Sequence, residues 1–503
     1  MFDVQANLPV LIVTIPLIGG ILTILTGRGW KPWAWATLLT GTIFYLTLRL
    51  IVAVWASKTG IVSSELGNWP RQWGIEYRVD ALNSFILCIV AGVGFLTTIY
   101  AKCSVEKEVP ADRHNFFYAV WVLALCGLLG ITITGDAFNV YVLLEISSLT
   151  VYALVAMGKD THRGALTASL RYLILGSVGA SFILLGIGYL MMITGTLNMQ
   201  DMHDRLHSVP GILQSRTVLV AFAFLVVGLG IKMAMFPLHM WLPRAYTYAP
   251  SAVSALLSAT ATKVGVYMTF RFLFTIFGVG FSFMTMPTTW VLALCASAGI
   301  IVTGVTALRQ TNLKRMLAYS SVGQLGYIIL GFSLANVNGV AGSVAHILNH
   351  ALMKGGMFMA LGAVFYRMNR VDLRSVRGLG RRMPFTMAAF VLGGLGLVGF
   401  PLTAGFISKW YLVQGCLDRP HMWPLAGVVL VGSLLAVVYT WRVVEAAYFQ
   451  EPDPNAPEVS EAPLMMLVPM WILIGTSVYF GVNATATSRI SLTAANALLG
   501  GSP

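Results

Sequence analysis

Charged residues are scarce in this chain. Asp, Glu, Lys and Arg together make up 10% of its 503 residues, whereas they make up about a quarter of a typical soluble domain. Hydrophobic residues account for 57% of the chain, and the mean hydropathy is +0.78. This composition excludes a soluble globular protein and predicts an all-α, polytopic membrane protein.

Paired cysteines and metal-binding motifs are also lacking. The cysteines are scattered and form no Cys-x-x-Cys pair, at Cys88, Cys103, Cys126, Cys295 and Cys416. A disulfide framework, an iron–sulfur cluster or a zinc site requires closer or paired ligands. We therefore expect no metal and no cofactor in this chain.

About fourteen apolar segments are long enough to cross a hydrocarbon core of about 30 Å. They lie at approximately 8-26, 34-55, 80-100, 116-134, 137-157, 166-194, 217-238, 251-278, 286-307, 319-335, 340-366, 386-410, 423-447 and 463-483. The polar stretches between them are of loop size. The sequence therefore predicts one transmembrane domain, 1-503, without a soluble domain.

The positive charge is distributed unevenly along the chain. The net charge is +13, but most Lys and Arg residues outside the segments fall in alternate loops, above all in 367-382. The positive-inside rule then places both termini on the outer side of a bacterial inner membrane. This pattern argues against nucleic acid as a partner. The N-terminal MFDVQANLP lacks a basic region, so we expect no cleavable signal peptide.

Four lysines interrupt the apolar segments: Lys232, Lys263, Lys354 and Lys409. A lysine at the centre of a bilayer costs roughly 2.5 to 3.5 kcal/mol on insertion scales, so intramembrane charges are rare and functional. Their repeated presence predicts an ion path within the membrane.

Two of the segments carry similar Gly and Pro patterns. Residues 228-238 read GLGIKMAMFPL and residues 394-402 read GLGLVGFPL. Proline removes a helical hydrogen bond, so both helices should be interrupted there. Interrupted helices in two halves of a chain indicate a transport site near the midplane. The alternative is that Gly and Pro are simply common in transmembrane helices.

Glu145 lies well inside a segment, with Ser147 and Ser148 close by. An isolated carboxylate there would keep its proton, because the charged form is poorly solvated. Lys232 is the natural partner, and the pair would act as a switch that alternates between contact and separation. The alternative is a static ion pair that joins two helices.

Three residues share one face of a helix, because His346, His350 and Lys354 have i, i+4, i+8 spacing. Histidine titrates near neutral pH, so this stripe predicts a proton relay. A two-histidine metal site is the alternative. Lys263, among small and hydroxyl residues, could receive a proton from Lys232 or could instead extend to the membrane interface.

Lys409 follows the second interruption and would suit a proton exit. The neighbouring Trp410 and Tyr411 are typical of the membrane interface, so an interfacial lysine is the alternative. His239, just after the first interruption, could continue the path or bond freed carbonyl groups.

Six motifs carry a family resemblance: EISSLTVYAL at 145-154, GIKMAMFPLHMWLP at 230-243, TKVGVY at 262-267, LKRMLAYSSVGQLGY at 313-327, HILNHALMKGGMFM at 346-359 and GFPLTAGFISKW at 399-410. From about 80 to 445 the chain resembles the antiporter-like subunits of respiratory complex I, membrane-bound hydrogenases and Mrp cation/proton antiporters. The lysine at 409 and the segment DAFNVYVLLE, from Asp136 to Glu145, are most similar to the D-type member of the Mrp antiporters and its hydrogenase relatives.

This resemblance implies fourteen helices with two inverted five-helix repeats, each with an interrupted helix. Its domains are helices 1-3 at 1-115, repeat 1 at 116-278, repeat 2 at 286-447, and helix 14 with a tail at 463-503. It also implies that Glu145 and Lys232 form the switch and Lys263 the connector, that the stripe from His346 to Lys354 forms a hydrated axis, and that Lys409 is the exit. Where the family commonly has an acid after WLP, this chain has Arg244, which changes the charge at the inner mouth.

The sequence thus predicts a proton-translocating subunit of an Mrp-type sodium/proton antiporter, with other membrane subunits as partners. A first alternative is a pumping subunit of a complex I-like or hydrogenase complex, driven by electron transfer in its partners. A second is a single-chain solute carrier. The run of titratable groups argues against the carrier, because a solute site needs one pocket.

Overall fold

The computed structural model describes residues 7–452 and 457–500 and is mostly helical. The α-helices in these residues are α1 (Leu8–Thr23), α2 (Lys31–Ala56), α3 (Ala81–Glu108), α4 (His114–Ile133), α5 (Ala137–Ala156), α6 (Gly164–Thr194), α7 (Met199–Ser208), α8 (Arg216–Lys232), α9 (Leu242–Tyr248), α10 (Ser251–Ala259), α11 (Ala261–Phe270), α12 (Thr288–Leu308), α13 (Leu313–Ser333), α14 (Val337–Met368), α15 (Leu379–Arg382), α16 (Pro384–Val398), α17 (Ala404–Leu417), α18 (Trp423–Phe449), α19 (Leu464–Val482) and α20 (Thr485–Leu498).

Ten helical segments in the described residues are long and apolar enough to cross a membrane. The prediction of a polytopic helical membrane protein is therefore confirmed. Four predicted segments are not among the ten. Of these, 251-278 and 386-410 are divided into shorter helices. The segment 217-238 contains only α8 before the chain leaves the helix, and 319-335 coincides with α13 as far as Ser333. The number fourteen stays a prediction.

Two polar stretches contain regular structure that the sequence analysis read as loop or tail. Within 56-79, strands β1 (Val62–Glu65) and β2 (Glu76–Val79) form an antiparallel hairpin in which Val62 lies opposite Val79. After the last apolar segment, α20 packs one face against α3 and α14. Both elements lie at the same end of the bundle as the start of α3, which is the predicted outer side.

Helix α14 is the central element of the fold. Every residue of its most apolar window is buried, and the helix packs against α3, α10, α13, α16, α17, α19 and α20. A helix enclosed on all sides can hold polar side chains away from both lipid and bulk water. The predicted histidine and lysine stripe lies on this helix.

Both predicted helix interruptions are confirmed. Helix α8 ends at Lys232 and helical structure resumes at α9, while α16 ends at Val398 and resumes at α17. Each interruption contains a non-glycine residue with positive φ, Ala234 at 57° and Leu402 at 69°. Such backbone conformations cost on the order of 1 to 3 kcal/mol and are typical of functional sites.

A third interruption has no Gly or Pro to signal it. Helices α10 and α11 meet at Thr260, whose φ and ψ are −124° and −59°. The Thr260 hydroxyl donates to the carbonyl of Leu256, and the Lys263 amine donates to the carbonyl of Ser258. The lysine thus satisfies a carbonyl that a continuous helix would use itself, whereas the Leu256 carbonyl also accepts from the Thr260 backbone amide.

The second interruption depends on a close approach of two glycines. A Cβ atom at Gly405 in α17 would collide with the carbonyl oxygen of Gly396 in α16. We expect Gly405→Ala to destabilise the protein by about 1 to 3 kcal/mol, as overpacking does. Gly427→Ala is the matched control, because nothing lies within 4 Å of the added atom. The measurement is the thermal stability of purified protein, and equal stability of the two variants would contradict this packing argument.

Candidate functional site

Four titratable residues lie together in the centre of the bundle, shielded from solvent. Lys263 on α11 and His346, His350 and Lys354 on α14 are each 0% exposed. Lys263 and Lys354 both lie close enough to act on His350 electrostatically. The residues that the sequence predicts as connector and central axis are therefore neighbours.

Helix α13 supplies the polar partners of this axis. The Lys354 amine donates to the Ser320 hydroxyl at 2.8 Å and to the carbonyl of Leu317 at 3.0 Å. The Nε2 atom of His346 lies 3.0 Å from the amide oxygen of Gln324 on the same helix. One face of α13 therefore follows the stripe on α14.

The two histidines differ in how well they are satisfied. His346 is also bonded through Nδ1 to the Ser408 hydroxyl at 2.8 Å. His350, whose ring centroid is 6.2 Å from that of His346, has no hydrogen-bond partner at either nitrogen within the described residues. Leaving buried polar atoms unpaired costs about 1 to 3 kcal/mol each. This is therefore the point of the axis at which ordered water would be most stabilising.

The metal alternative for these histidines finds no further ligand. The described residues contain no group of three His, Cys, Asp or Glu side chains placed to hold a metal ion. Both ring nitrogens of His346 are already engaged, by the Ser408 hydroxyl and by the amide oxygen of Gln324.

Lys409 is buried, so the interfacial alternative for this residue is wrong. Its amine donates to the carbonyls of Leu397 at 2.7 Å and Val398 at 3.0 Å, and to the Ser433 hydroxyl at 2.8 Å. It also lies 4.6 Å from the ring centroid of Tyr327, which is 5.7 Å from the ring of His346. Lys409 therefore joins the axis through an aromatic ring.

Lys263 and Lys409 are held in the same way. Lys263 donates to the carbonyl of Ser258 near the end of α10, and Lys409 to the last carbonyls of α16. The C-terminal end of a helix carries unpaired carbonyls and a partial negative charge. Each interruption thus stabilises an amine that would otherwise be costly to bury. The interfacial alternative for Lys263 is also wrong, because the side chain is fully buried.

Glu145 and Lys232 are near each other but do not form an ion pair in this structure. Lys232 donates to the Ser148 hydroxyl at 3.0 Å, and Oε1 of Glu145 is buried without a partner within the described residues. A cavity of about 30 Å³ beside Ser148 and Lys232 is large enough for a water molecule. The static ion pair is therefore wrong for this arrangement, which corresponds to the separated state of the predicted switch.

The possible accessory residues of the predicted proton pathway, His239, Arg244 and Asp136, lie in different parts of the fold. His239 is buried between α8 and α9 and stacks on Phe236 at 5.2 Å between ring centroids; its Nδ1 has no partner in the described part of the chain. Arg244 on α9 is half-buried. Asp136 caps the N-terminus of α5 by accepting from the Asn139 amide at 2.6 Å, at the predicted outer side.

A buried acid and lysine near the predicted inner side were missed by the sequence analysis. Glu108, at the end of α3, accepts from the Ser104 hydroxyl at 2.7 Å and from the Ser251 amide at 3.0 Å. Lys314 donates to the Ser251 hydroxyl at 2.9 Å. His162 lies beside them and is half-buried. Its pKa is lowered mainly by burial and to a smaller extent by the charge of Lys314. We call Glu108, Lys314, Ser251 and His162 the inner cluster.

A row of buried hydroxyls leads from the inner cluster to Lys263. Ser251, Ser254 and Ser258 on α10 have i, i+3, i+7 spacing and are fully buried, so they lie along one face. The Lys263 amine bonds the carbonyl of Ser258. The serine spacing and the lysine in LKRMLAYSSVGQLGY were visible signals. Glu108 lay beyond the predicted segment 80-100, in a polar stretch of loop size where an acid is ordinary, whereas α3 extends to Glu108 in the structure.

The comparisons with known proteins agree with this architecture. Residues 134–436 match the family model described as NADH:quinone oxidoreductase/Mrp antiporter, transmembrane. The chain is 42% identical to the N-type subunit of the NADH-quinone oxidoreductase of Desulforudis audaxviator, over 96% of this chain and 98% of that protein. It is 28% identical to the D-type subunit of the Na(+)/H(+) antiporter of Alkalihalophilus pseudofirmus, over 98% and 97%.

Two solved structures share the fold over nearly their whole length. A chain of the archaeal membrane-bound sulfane sulfur reductase aligns with a TM-score of 0.89 at 29% identity, covering 98% of both chains. A chain of the Mrp complex from Dietzia sp. aligns with the same TM-score at 23% identity, covering 99% of this chain and 98% of that one. Both neighbours are subunits of multi-subunit membrane complexes.

The buried carboxyl of Asp136 generates a pH prediction. Burial raises its pKa from the ordinary value near 4 to about 6. Between pH values of about 4 and about 6, the folded state therefore binds more protons than the unfolded state. Its contribution to stability is therefore present below that window and is lost as the pH rises through it. We expect Asp136→Asn, which keeps a capping side chain, to remove this decline. Thermal unfolding between pH 4 and 7 measures it, and a decline identical to that of the wild type would contradict the assignment.

Proposed function

Because the chain belongs to the NADH:quinone oxidoreductase/Mrp antiporter family, we propose that it is the proton-translocating, antiporter-like subunit of a multi-subunit membrane complex. The observation that carries this proposal is the buried axis from Lys263 and Lys354 through the two histidines and Tyr327 to Lys409. Such a row of titratable groups inside a membrane protein is costly to bury and is typical of an ion or proton path.

The proposed work of the complex is Mrp-type exchange of a monovalent cation, sodium, for protons in a bacterial inner membrane, with both termini on the outer side. Similarity to the D-type antiporter subunit over almost the whole chain supports it. A second candidate, a redox-driven pump of the complex I or hydrogenase type, is favoured by the 42% identity to the N-type oxidoreductase subunit. A stand-alone solute carrier has no comparable support.

In the proposed mechanism, Glu145 and Lys232 drive the transfer. When the two approach, the charged lysine is stabilised; when they separate, as in this structure, Lys232 keeps only the Ser148 hydroxyl and tends to release its proton. Lys263 receives that proton and passes it by way of water at His350 to the axis. Lys409 releases it at the predicted outer side, and His239 and Arg244 line the region near the first interruption.

The two interruptions also support the proposed inverted repeats, 116-278 and 286-447. Each repeat has an interrupted helix with a non-glycine residue of positive φ in the break. Lys409 bonds carbonyls at the break in repeat 2, whereas Lys263 in repeat 1 bonds a carbonyl at the separate break at Thr260. The fourteen-helix topology proposed for the family counts each broken helix as one span.

Lys232→Ala in the complete complex tests the proposed function. We expect proton transport to fall on the order of a hundredfold, because a proton-transfer group is lost, while assembly is retained. Lys58→Ala, at an exposed lysine, is the control and should transport normally. Proton and sodium fluxes are measured in everted vesicles from an antiporter-deficient strain that expresses the whole gene cluster.

The same vesicles separate the two candidates. Sodium-dependent proton flux without an electron donor supports antiport, whereas flux that requires NADH or another donor supports the redox-driven pump. Normal flux in assembled Lys232→Ala complex under both conditions would overturn the proposal.

We also propose that the inner cluster is a second proton entrance, which reaches Lys263 along the buried serines of α10 and adds to the transfer from Lys232. Glu108→Gln keeps an oxygen that can accept from Ser104 and from the α10 N-terminus but removes the titratable group. We expect transport to slow by about tenfold or more with normal assembly. Glu106→Gln, at the exposed acid two residues earlier, is the matched control, and equal rates for the two variants would place the entrance elsewhere.

A further inference from the structure

Two cavities meet at the predicted outer end of the bundle. One is polar, with a volume of about 560 Å³, and the other is apolar, with a volume of about 340 Å³. Trp55 at the end of α2 and Ala81 at the start of α3 line both of them. The two cavities therefore form one amphipathic pocket.

The polar cavity has an excess of positive charge. Its lining includes Arg78, Arg271 and Arg489, with Asp80 as the acid. Arg271 donates to both carboxylate oxygens of Asp80 at 2.7 Å, so this pair is neutral overall. Within residues 7–452 and 457–500, Arg78 and Arg489 form no ion pair. Two guanidinium groups that face one cavity and have no carboxylate partner of their own are complementary to an anion.

The apolar cavity extends from this anion-complementary end into the depth of the bundle. It lies between α2, α3, α14, α19 and α20, and its lining includes Phe44, Phe85, Leu348, Leu352, Phe480 and Ile490. No charged residue of the described ranges lines it. Water is poorly held in such a cavity, whereas a hydrocarbon chain would bury its own surface there.

We propose that this pocket binds one anionic phospholipid of the surrounding membrane, with its phosphate between Arg78 and Arg489 and one acyl chain in the apolar cavity. The bilayer supplies this molecule to any multi-pass protein at high local concentration. Trp55, over which the Arg489 guanidinium lies at 5.9 Å, marks the boundary between the two parts, as tryptophan does at headgroup level.

The acyl chain in the apolar cavity would pack against the central helix, α14. Leu348 lies two positions after His346 on α14, and Leu352 lies two positions after His350. Two residues correspond to more than half a turn, so both leucines lie on the side of the helix opposite the histidines. An occupied cavity packs that side and keeps it dry. Lipid binding therefore affects the position of the helix that carries the axis, although the lipid itself carries no proton.

The test uses the purified complex in detergent and phosphatidylglycerol that carries a photoreactive diazirine on one acyl chain. We expect crosslinks within the apolar cavity, competed by unlabelled phosphatidylglycerol but not by glycerol phosphate or by phosphatidylcholine. Arg78→Gln and Arg489→Gln should each weaken labelling about fivefold, which corresponds to about 1 kcal/mol per arginine near a lipid surface. Arg216→Gln, at an exposed arginine on the same end of the bundle, should leave it unchanged.

Three outcomes would overturn the proposal. The first is equal labelling by the phosphatidylcholine analogue, and the second is competition by glycerol phosphate alone, which would indicate an anion site without a chain. The third is crosslinking that neither arginine variant reduces while both variants assemble with normal thermal stability.

Discussion

An amine buried in a membrane protein must have oxygen atoms around it, and this requirement shapes the bundle. A continuous helix already uses its carbonyl groups in its own hydrogen bonds, whereas a helix end has carbonyls without a helical partner. The interruptions after Val398 and at Thr260 release carbonyls in the interior, where Lys409 and Lys263 bond them. The interrupted helices are therefore not defects in the spans, because they are what allows the lysines to stay there.

The enclosure of α14 follows from the same requirement. Its polar stripe can be buried only if neighbouring helices present hydroxyl, amide and carbonyl groups at matching heights, which α13 does through Ser320 and Gln324 and α17 through Ser408. His350 has no such neighbour among the described residues. The protein thus satisfies every member of the stripe except the one at its centre, so water is the natural partner there.

Residue pattern alone predicts the parts of this site that depend on local chemistry. Gly and Pro signalled the interruptions near Pro237 and Pro401, and i, i+4, i+8 spacing placed the α14 stripe on one face. The Thr260 interruption depends on side chains of Thr260 and Lys263 acting on their own backbone, which composition does not reveal. The inner cluster joins residues more than a hundred positions apart in the chain, so only the tertiary structure brings Glu108 to Ser251 and Lys314. For Lys409, only the interfacial alternative is wrong, since interfacial neighbours in sequence do not determine where an amine points.

Lys232 differs from the other three lysines of the predicted proton path in how its amine is hydrogen-bonded. Lys232 is the final residue of α8, so its backbone already lies at an interruption, yet its amine bonds a side-chain hydroxyl rather than a helix-end carbonyl. It is the least buried of the four intramembrane lysines, and the other three each donate to at least one backbone carbonyl. A charge held this loosely responds to a nearby carboxylate, whereas Lys409, with three oxygen partners, responds little. The difference in hydrogen bonding therefore favours the proposal that Lys232 is the moving part and that the residues of the axis are fixed relay positions.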